Sequence, residues 1–105
     1  MIEITGAVLQ KERSQMMRPG VVKPDLKEFL HIPVFRLRII DDTGRLVQVL
    51  YKGEPPGDAE MGDHVMIKGM ARGGVIYARS IYNSTTSSWV TPAPGFLDKL
   101  FGGRF

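Results

Sequence analysis

Between residues 35 and 83 the chain leaves almost no room for a helix. Phe35, Leu37 and Ile39 alternate with Arg36 and Arg38, Asp41-Asp42-Thr43-Gly44 supplies a turn, and residues 46–51 form a second apolar-rich run. That is the pattern of a β-hairpin, with side chains alternating between two faces. Gly62-Asp63 then introduces Val65, Ile67 and Gly69, and Gly73-Gly74 turns the chain into residues 75–82. This predicts a second hairpin of similar size. With residues 2–9, where Ile4, Gly6 and Val8 alternate with Thr5, Ala7 and Leu9, the strands number five. Five strands with glycine at bends and turns predict an all-β chain closed, or partly closed, as a small Greek-key barrel. Gly6 is the residue that would let a long first strand bend around it.

Length and composition bound the possibilities further. A chain of 105 residues supports one domain with a core able to fold alone. Without a cysteine there is no disulfide framework, thiolate metal site or thiol nucleophile. His31 and His64 are the only histidines, and no His/Asp/Glu group recurs at metal-ligand spacing, so neither a metal nor another cofactor is expected. The hydroxyls of residues 84–88 have no base at a recognisable spacing, and the glycines at 69, 73 and 74 read as turn residues rather than a phosphate loop. An enzyme is therefore not expected. No apolar run approaches bilayer length, and the opening residues lack the basic start and apolar stretch of a secretory signal, so the expected location is cytoplasmic. A net charge of +3 is compatible with an anionic partner.

Residues 12–33 break the alternation. Pro19-Gly20 and Pro24 punctuate them, Asp25 and Glu28 could cap a single helical turn, and Arg13, Arg18, Lys23 and Lys27 lie beside Met16 and Met17. The expectation is a long loop after the first strand, either a binding element or a disordered one. Arg36 and Arg38, one strand period apart, project from one face as a paired guanidinium stripe. Such a pair suits phosphate or base stacking, or serves as a solvated outer surface.

Ile76 and Ala78 share parity but Ile81 does not, so placing all three in the core demands one extra residue near Arg79-Ser80, a β-bulge. Tyr77 and Arg79 then face outward, and Val65 with Ile67 inward leaves His64, Met66 and Lys68 outside. The third strand admits two registers. Val47, Val49 and Tyr51 inward leaves Leu46, Gln48, Leu50 and Lys52 outside, the slightly favoured arrangement; the reverse buries Gln48 and exposes Tyr51 as a stacking platform.

Asp42-Thr43-Gly44-Arg45-Leu46 resembles the second and third strands of OB-fold domains in replication proteins and in the anticodon-binding modules of tRNA synthetases. Gly62-Asp63-His64-Val65, Lys68-Gly69, Gly74-Val75-Ile76-Tyr77-Ala78 and Ile81-Tyr82-Asn83 look like the fourth and fifth strands of that fold. The resemblance covers residues 2–83 and implies a five-stranded Greek-key OB-fold barrel that binds single-stranded DNA or RNA. The chain departs from the family at Gln48 and at Glu54-Pro55-Pro56-Gly57-Asp58, where many OB-folds carry a helix; the prolines leave that end open or loop-covered. The nucleic-acid-binding residues expected are Arg36, Arg38, Lys68, Tyr77 and Arg79 on the strands, with Arg13, Arg18 and Lys23 closing from the loop.

Residues 84–95 read as a Ser/Thr/Pro-rich linker. Residues 96–105 place Phe96, Leu97, Leu100 and Phe101 along one edge and end in Phe105, an amphipathic segment that could dock on its own barrel, a second copy or a protein partner. Bacterial single-strand DNA-binding proteins end in a tail with a terminal phenylalanine, but theirs are acidic, and here Lys99 and Arg104 outnumber Asp98. So short a segment with two cations gives little affinity for a membrane surface. The alternative to nucleic-acid binding is thus a protein-interaction or assembly module using the barrel face or this tail.

Overall fold

The computed structural model describes residues 1–17 and 31–93. Six strands follow one another: β1 (Ile2–Met17), β2 (His31–Asp41), β3 (Leu46–Lys52), β4 (His64–Arg72), β5 (Val75–Asn83) and the short β6 (Ser88–Trp89). Among the described residues there is no helix, and none long and apolar enough to cross a membrane. The sheet runs β3-β2-β1-β4-β5-β6, and a further pairing of β3 with β5 joins its first five strands into a ring. That joint is parallel, through Gln48 with Val75, Val49 with Ile76 and Leu50 with Tyr77; every other pairing is antiparallel.

β1 changes partners along its length, which is how one strand serves two sides of the ring. Residues 2–7 pair with β4, and from Gly6 onward it pairs with β2. Gly6 belongs to both ladders, and a Cβ there would collide with the carbonyl of Ile40, so the crossing requires glycine. Leu9 is an extra residue between the Val8 and Gln10 pairings, a bulge that sharpens the turn. The expected bulge in β5 is present: Lys68 pairs with Ser80 and Gly69 with Ala78, leaving Arg79 over. Ile76 and Ile81 are consequently both buried.

The core fills the ring with Val8, Phe35, Leu37, Ile39, Val49, Val65, Ile67, Ile76 and Ile81, each at most 5% exposed. Val49 is buried while Val47 and Tyr51 pack against the cluster, which settles the third strand in the first of its two registers. Full burial of such a side chain contributes about 1.5–3 kcal/mol. The end expected to be open or loop-covered is covered: residues 53–63 cross it without a helix and insert Ala59, which is fully buried. Asn83 ties this loop down, its amide donating to Asp63 Oδ2 at 2.8 Å and to the Asp58 carbonyl at 3.3 Å.

Two sequence expectations need correction. The loop after the first strand is shorter than residues 12–33: β1 continues to Met17 and β2 begins at His31, paired residue by residue. Backbone pairing continues there where the side-chain alternation fades. The ring also does not give way to a tether at residue 84. β6 pairs with the end of β5, Val90 and Thr91 are fully buried, Thr91 Oγ1 accepts from Ile81 N at 2.9 Å, and Gly57 N donates to the Val90 carbonyl at 2.8 Å. The helical turn expected from Asp25 and the amphipathic segment 96–105 lie outside the described residues.

Candidate functional site

Pairing register dictates which side chains share the outer face of β2 and β3. Glu12 lies opposite Arg36, Arg36 opposite Leu50, Leu50 beside Tyr77 and Tyr77 opposite Met70, so one row crosses four joints. The adjacent row runs Gln10, Arg38, Gln48, Val75 and Arg72. Neighbours in such rows stand close enough to act on a common ligand. Between them runs a groove of about 570 Å³ bordered by Gln10, Glu12, Arg36, Arg38, Gln48, Leu50 and Tyr77. A second depression of about 390 Å³ shares Leu50 and Tyr77 with it and is rimmed by Lys52, Arg72 and Arg79, with Met1 and Met70 at its apolar side. Together they form one channel across the face.

The turns set its edges. Gly73 and Gly74 both have positive φ, 57° and 79°, the two-residue hairpin geometry that keeps Arg72 and Val75 in register at the channel's end. At the other end of β2, the Asp41 carboxylate accepts from Thr43 Oγ1 at 2.7 Å, Arg45 N at 2.8 Å and Thr43 N at 3.0 Å. The Thr43 hydroxyl, with the Arg45 amide next, holds the Asp41 carboxyl below its ordinary value.

Charge is sorted across the molecule. Of the cations lining the channel, Lys11 is ion-paired with Asp58 and Glu60, whereas Arg36, Arg38, Lys52, Arg72 and Arg79 make no ion pair among the described residues. Lys52 Nζ stands 5.7 Å from the Tyr77 ring centroid, a cation held over an aromatic face. Apart from Glu12, the acids outside the turns are held by other cations: Asp58 and Glu60 on Lys11, Glu54 and Asp58 on Arg13, Glu3 on Lys68. The hydrogen bonds that Lys11 donates to Asp58 and then Glu60 raise its pKa, so that the ammonium keeps its charge.

Of the residues expected to bind nucleic acid, the structure brings together Arg36, Arg38, Tyr77 and Arg79. Arg13 and Lys68 are not with them. Arg13 is a strand residue rather than a loop residue; its guanidinium sits 5.0 Å from the Phe35 ring centroid and reaches Glu54 at 3.6 Å and Asp58 at 3.5 Å, bracing the loop that covers the ring. Lys68 reaches Glu3 at 3.8 Å and borders a separate hollow with Met66, Tyr82 and Trp89. Arg18 and Lys23, and the segment residues Phe96, Leu97, Leu100, Phe101 and Phe105, lie outside the described residues. Lys52, Arg72, Gln10, Glu12 and Met70 were not singled out by sequence reasoning. Lys52 and Leu50 could have been found from the favoured register of β3, which already set them on the outer surface.

Comparison with family models, with curated proteins and with solved structures finds no match. Function is therefore read from the geometry. Among the described residues, no three of His, Asp and Glu meet as a metal site. What the channel offers is a line of unneutralised cations beside an aromatic ring and a thin apolar floor, which suits a flexible polyanion carrying flat apolar groups.

Proposed function

We propose that this chain is a non-catalytic OB-fold module that binds single-stranded nucleic acid along the channel over β2, β3 and β5. The observation that carries the reading is the set of five channel cations, Arg36, Arg38, Lys52, Arg72 and Arg79, that make no ion pair among the described residues and flank Tyr77. The ring order β1-β2-β3-β5-β4, returning to β1 with a parallel β3–β5 joint, supports a Greek-key barrel closed in OB-fold fashion. In that fold the face of the second and third strands and the turn between the fourth and fifth take oligonucleotides. Arg36 and Arg38 would pair with phosphates, Tyr77 would stack on a base for about 1–3 kcal/mol, and Lys52, Arg72 and Arg79 would follow the backbone. A cytoplasmic location is part of the proposal.

Fluorescence anisotropy of labelled single-stranded DNA and RNA at several salt concentrations tests it. Five phosphates neutralised on a single strand give a log–log salt slope of about −3.5. Replacing Arg36 and Arg38 together by Ala should weaken binding about tenfold or more and bring the slope to about −2. Unchanged affinity and slope in the double variant would sink this site. A second reading, a protein-interaction or assembly module, is favoured by the exposed Trp89 and the half-buried Tyr82, whose rings meet edge to face at 4.9 Å beside Met66. Absence of oligonucleotide binding together with self-association in sedimentation would shift the assignment there.

A further inference from the structure

Glu12 is the one acidic side chain lining the channel among the described residues. Its neighbours make it more unusual. Every other acid of the described residues has an ion-pair or hydrogen-bond partner: Glu3 with Lys68, Asp41 within its turn, Asp42 with Thr5, Asp63 with Asn83, and Glu54, Asp58 and Glu60 with Lys11 and Arg13. Glu12 is exposed and pairs directly across the ladder with Arg36, yet makes no ion pair among those residues. An unpaired carboxylate in a phosphate-binding channel repels the ligand backbone unless the ligand brings it hydrogen-bond donors, because an ionised carboxylate only accepts. In a DNA strand, which has no ribose 2′-hydroxyl, those donors have to come from a base.

Resting on the single-strand reading above, we infer that Glu12 reads guanine together with Arg36 or Arg38, one of which turns from phosphate to base where a guanine is present, so that the channel prefers single strands containing that base. Guanine is the base with two adjacent donors, N1–H and the N2 amino group, on its Watson–Crick edge and two adjacent acceptors, O6 and N7, on the other side. The acceptor pair fits a guanidinium fork, the donor pair fits a carboxylate, and in a single strand both edges are open. Adenine and cytosine offer a carboxylate one amino group beside an acceptor. Thymine and uracil flank their single N3–H with two carbonyls that repel it. Glu12 and Tyr77 are three strand spacings apart, about 14 Å along the sheet, so one base does not touch both. The guanine sits at the β1–β2 side, and a different, unselected base stacks at Tyr77.

The test is anisotropy with labelled twelve-nucleotide oligothymidylate carrying one central guanine, adenine, cytosine, inosine or 7-deazaguanine; a single guanine also avoids four-stranded structures. The guanine oligonucleotide should bind at least about fivefold tighter than plain oligothymidylate, the low end for a bidentate base contact. Inosine, which lacks the N2 amino group, should lose part of that gain through Glu12, and 7-deazaguanine should lose part through the arginine. Glu12→Gln should bind plain oligothymidylate more tightly, since a repulsive charge is gone, while its preference for guanine over inosine falls. Equal affinity for all the oligonucleotides overturns this inference and leaves the single-strand reading standing. No binding to any of them at low salt overturns both. Changing the base rather than the protein keeps the outcome independent of any folding defect in the variant.

Discussion

Three aspartates mark the turns and the loop that covers the ring, and their environments make stability depend on pH in one direction. The Thr43 hydroxyl and then the Arg45 amide lower the Asp41 pKa from the ordinary value of 3.8. The Glu60 amide and then Asn83 lower that of Asp63. At Asp58 burial pushes upward, but the Lys11 ammonium and the Ala59 amide together outweigh it. A carboxyl whose pKa is lower folded than unfolded stabilises the fold above its unfolded pKa, and that contribution drains away as pH falls through the folded value. The urea midpoint should hold from neutrality to about pH 5 and then drop below pH 4, and Asp41→Asn should blunt the drop. An acid limb of unchanged depth in that variant would remove Asp41 from the account. Arg36, Arg38 and Tyr77 could be placed on one face from strand parity alone. Glu12 could not, because its partner across the ladder depends on a one-residue bulge at Leu9 that no parity argument exposes in so polar a stretch.

At the scale of elements, what the sequence made legible was whatever the core enforces. The β5 bulge could be read because Ile76 and Ile81 cannot both be buried without an extra residue, and Arg79 is that residue. The β3 register followed the same logic, with Val49 inside and Gln48 out. The far half of β1 was illegible for the opposite reason: Lys11-Glu12-Arg13-Ser14-Gln15 carries no apolar alternation, and this ribbon is held by backbone pairing with β2. The bulge also leaves a close approach, since a Cβ on Gly69 would meet the Tyr77 carbonyl. Gly69→Ala should therefore destabilise by about 1–3 kcal/mol, as overpacking does, although the added group is a single methyl. A denaturation curve unchanged from the parent would show that β5 moves aside freely.

For the whole molecule, the boundary of the folded unit is the point at which composition misled. A run of serine and threonine ending in prolines looks like linker, yet Val90 and Thr91 inside it are fully buried and tie the covering loop to β5. A chain ending at residue 93 keeps β6, Val90 and Thr91. One ending at residue 83 loses a buried valine and a buried hydrogen bond, together about 3 kcal/mol, and should unfold at markedly lower denaturant. Equal midpoints for the two truncations would restore the linker reading. The joint between β3 and β5 has a consequence of a different kind. It consists of three residue pairs, the fewest of any joint in the ring, and one of them is Leu50 with Tyr77, in the bed of the channel. A strand of nucleic acid lying from Arg36 across to Arg72 would bridge that seam from outside like a clasp, and the free protein would part there first. Occupancy and resistance to opening would then be two readings of a single equilibrium: each ligand bound closes the ring more firmly, and each change that loosens the seam also weakens the grip.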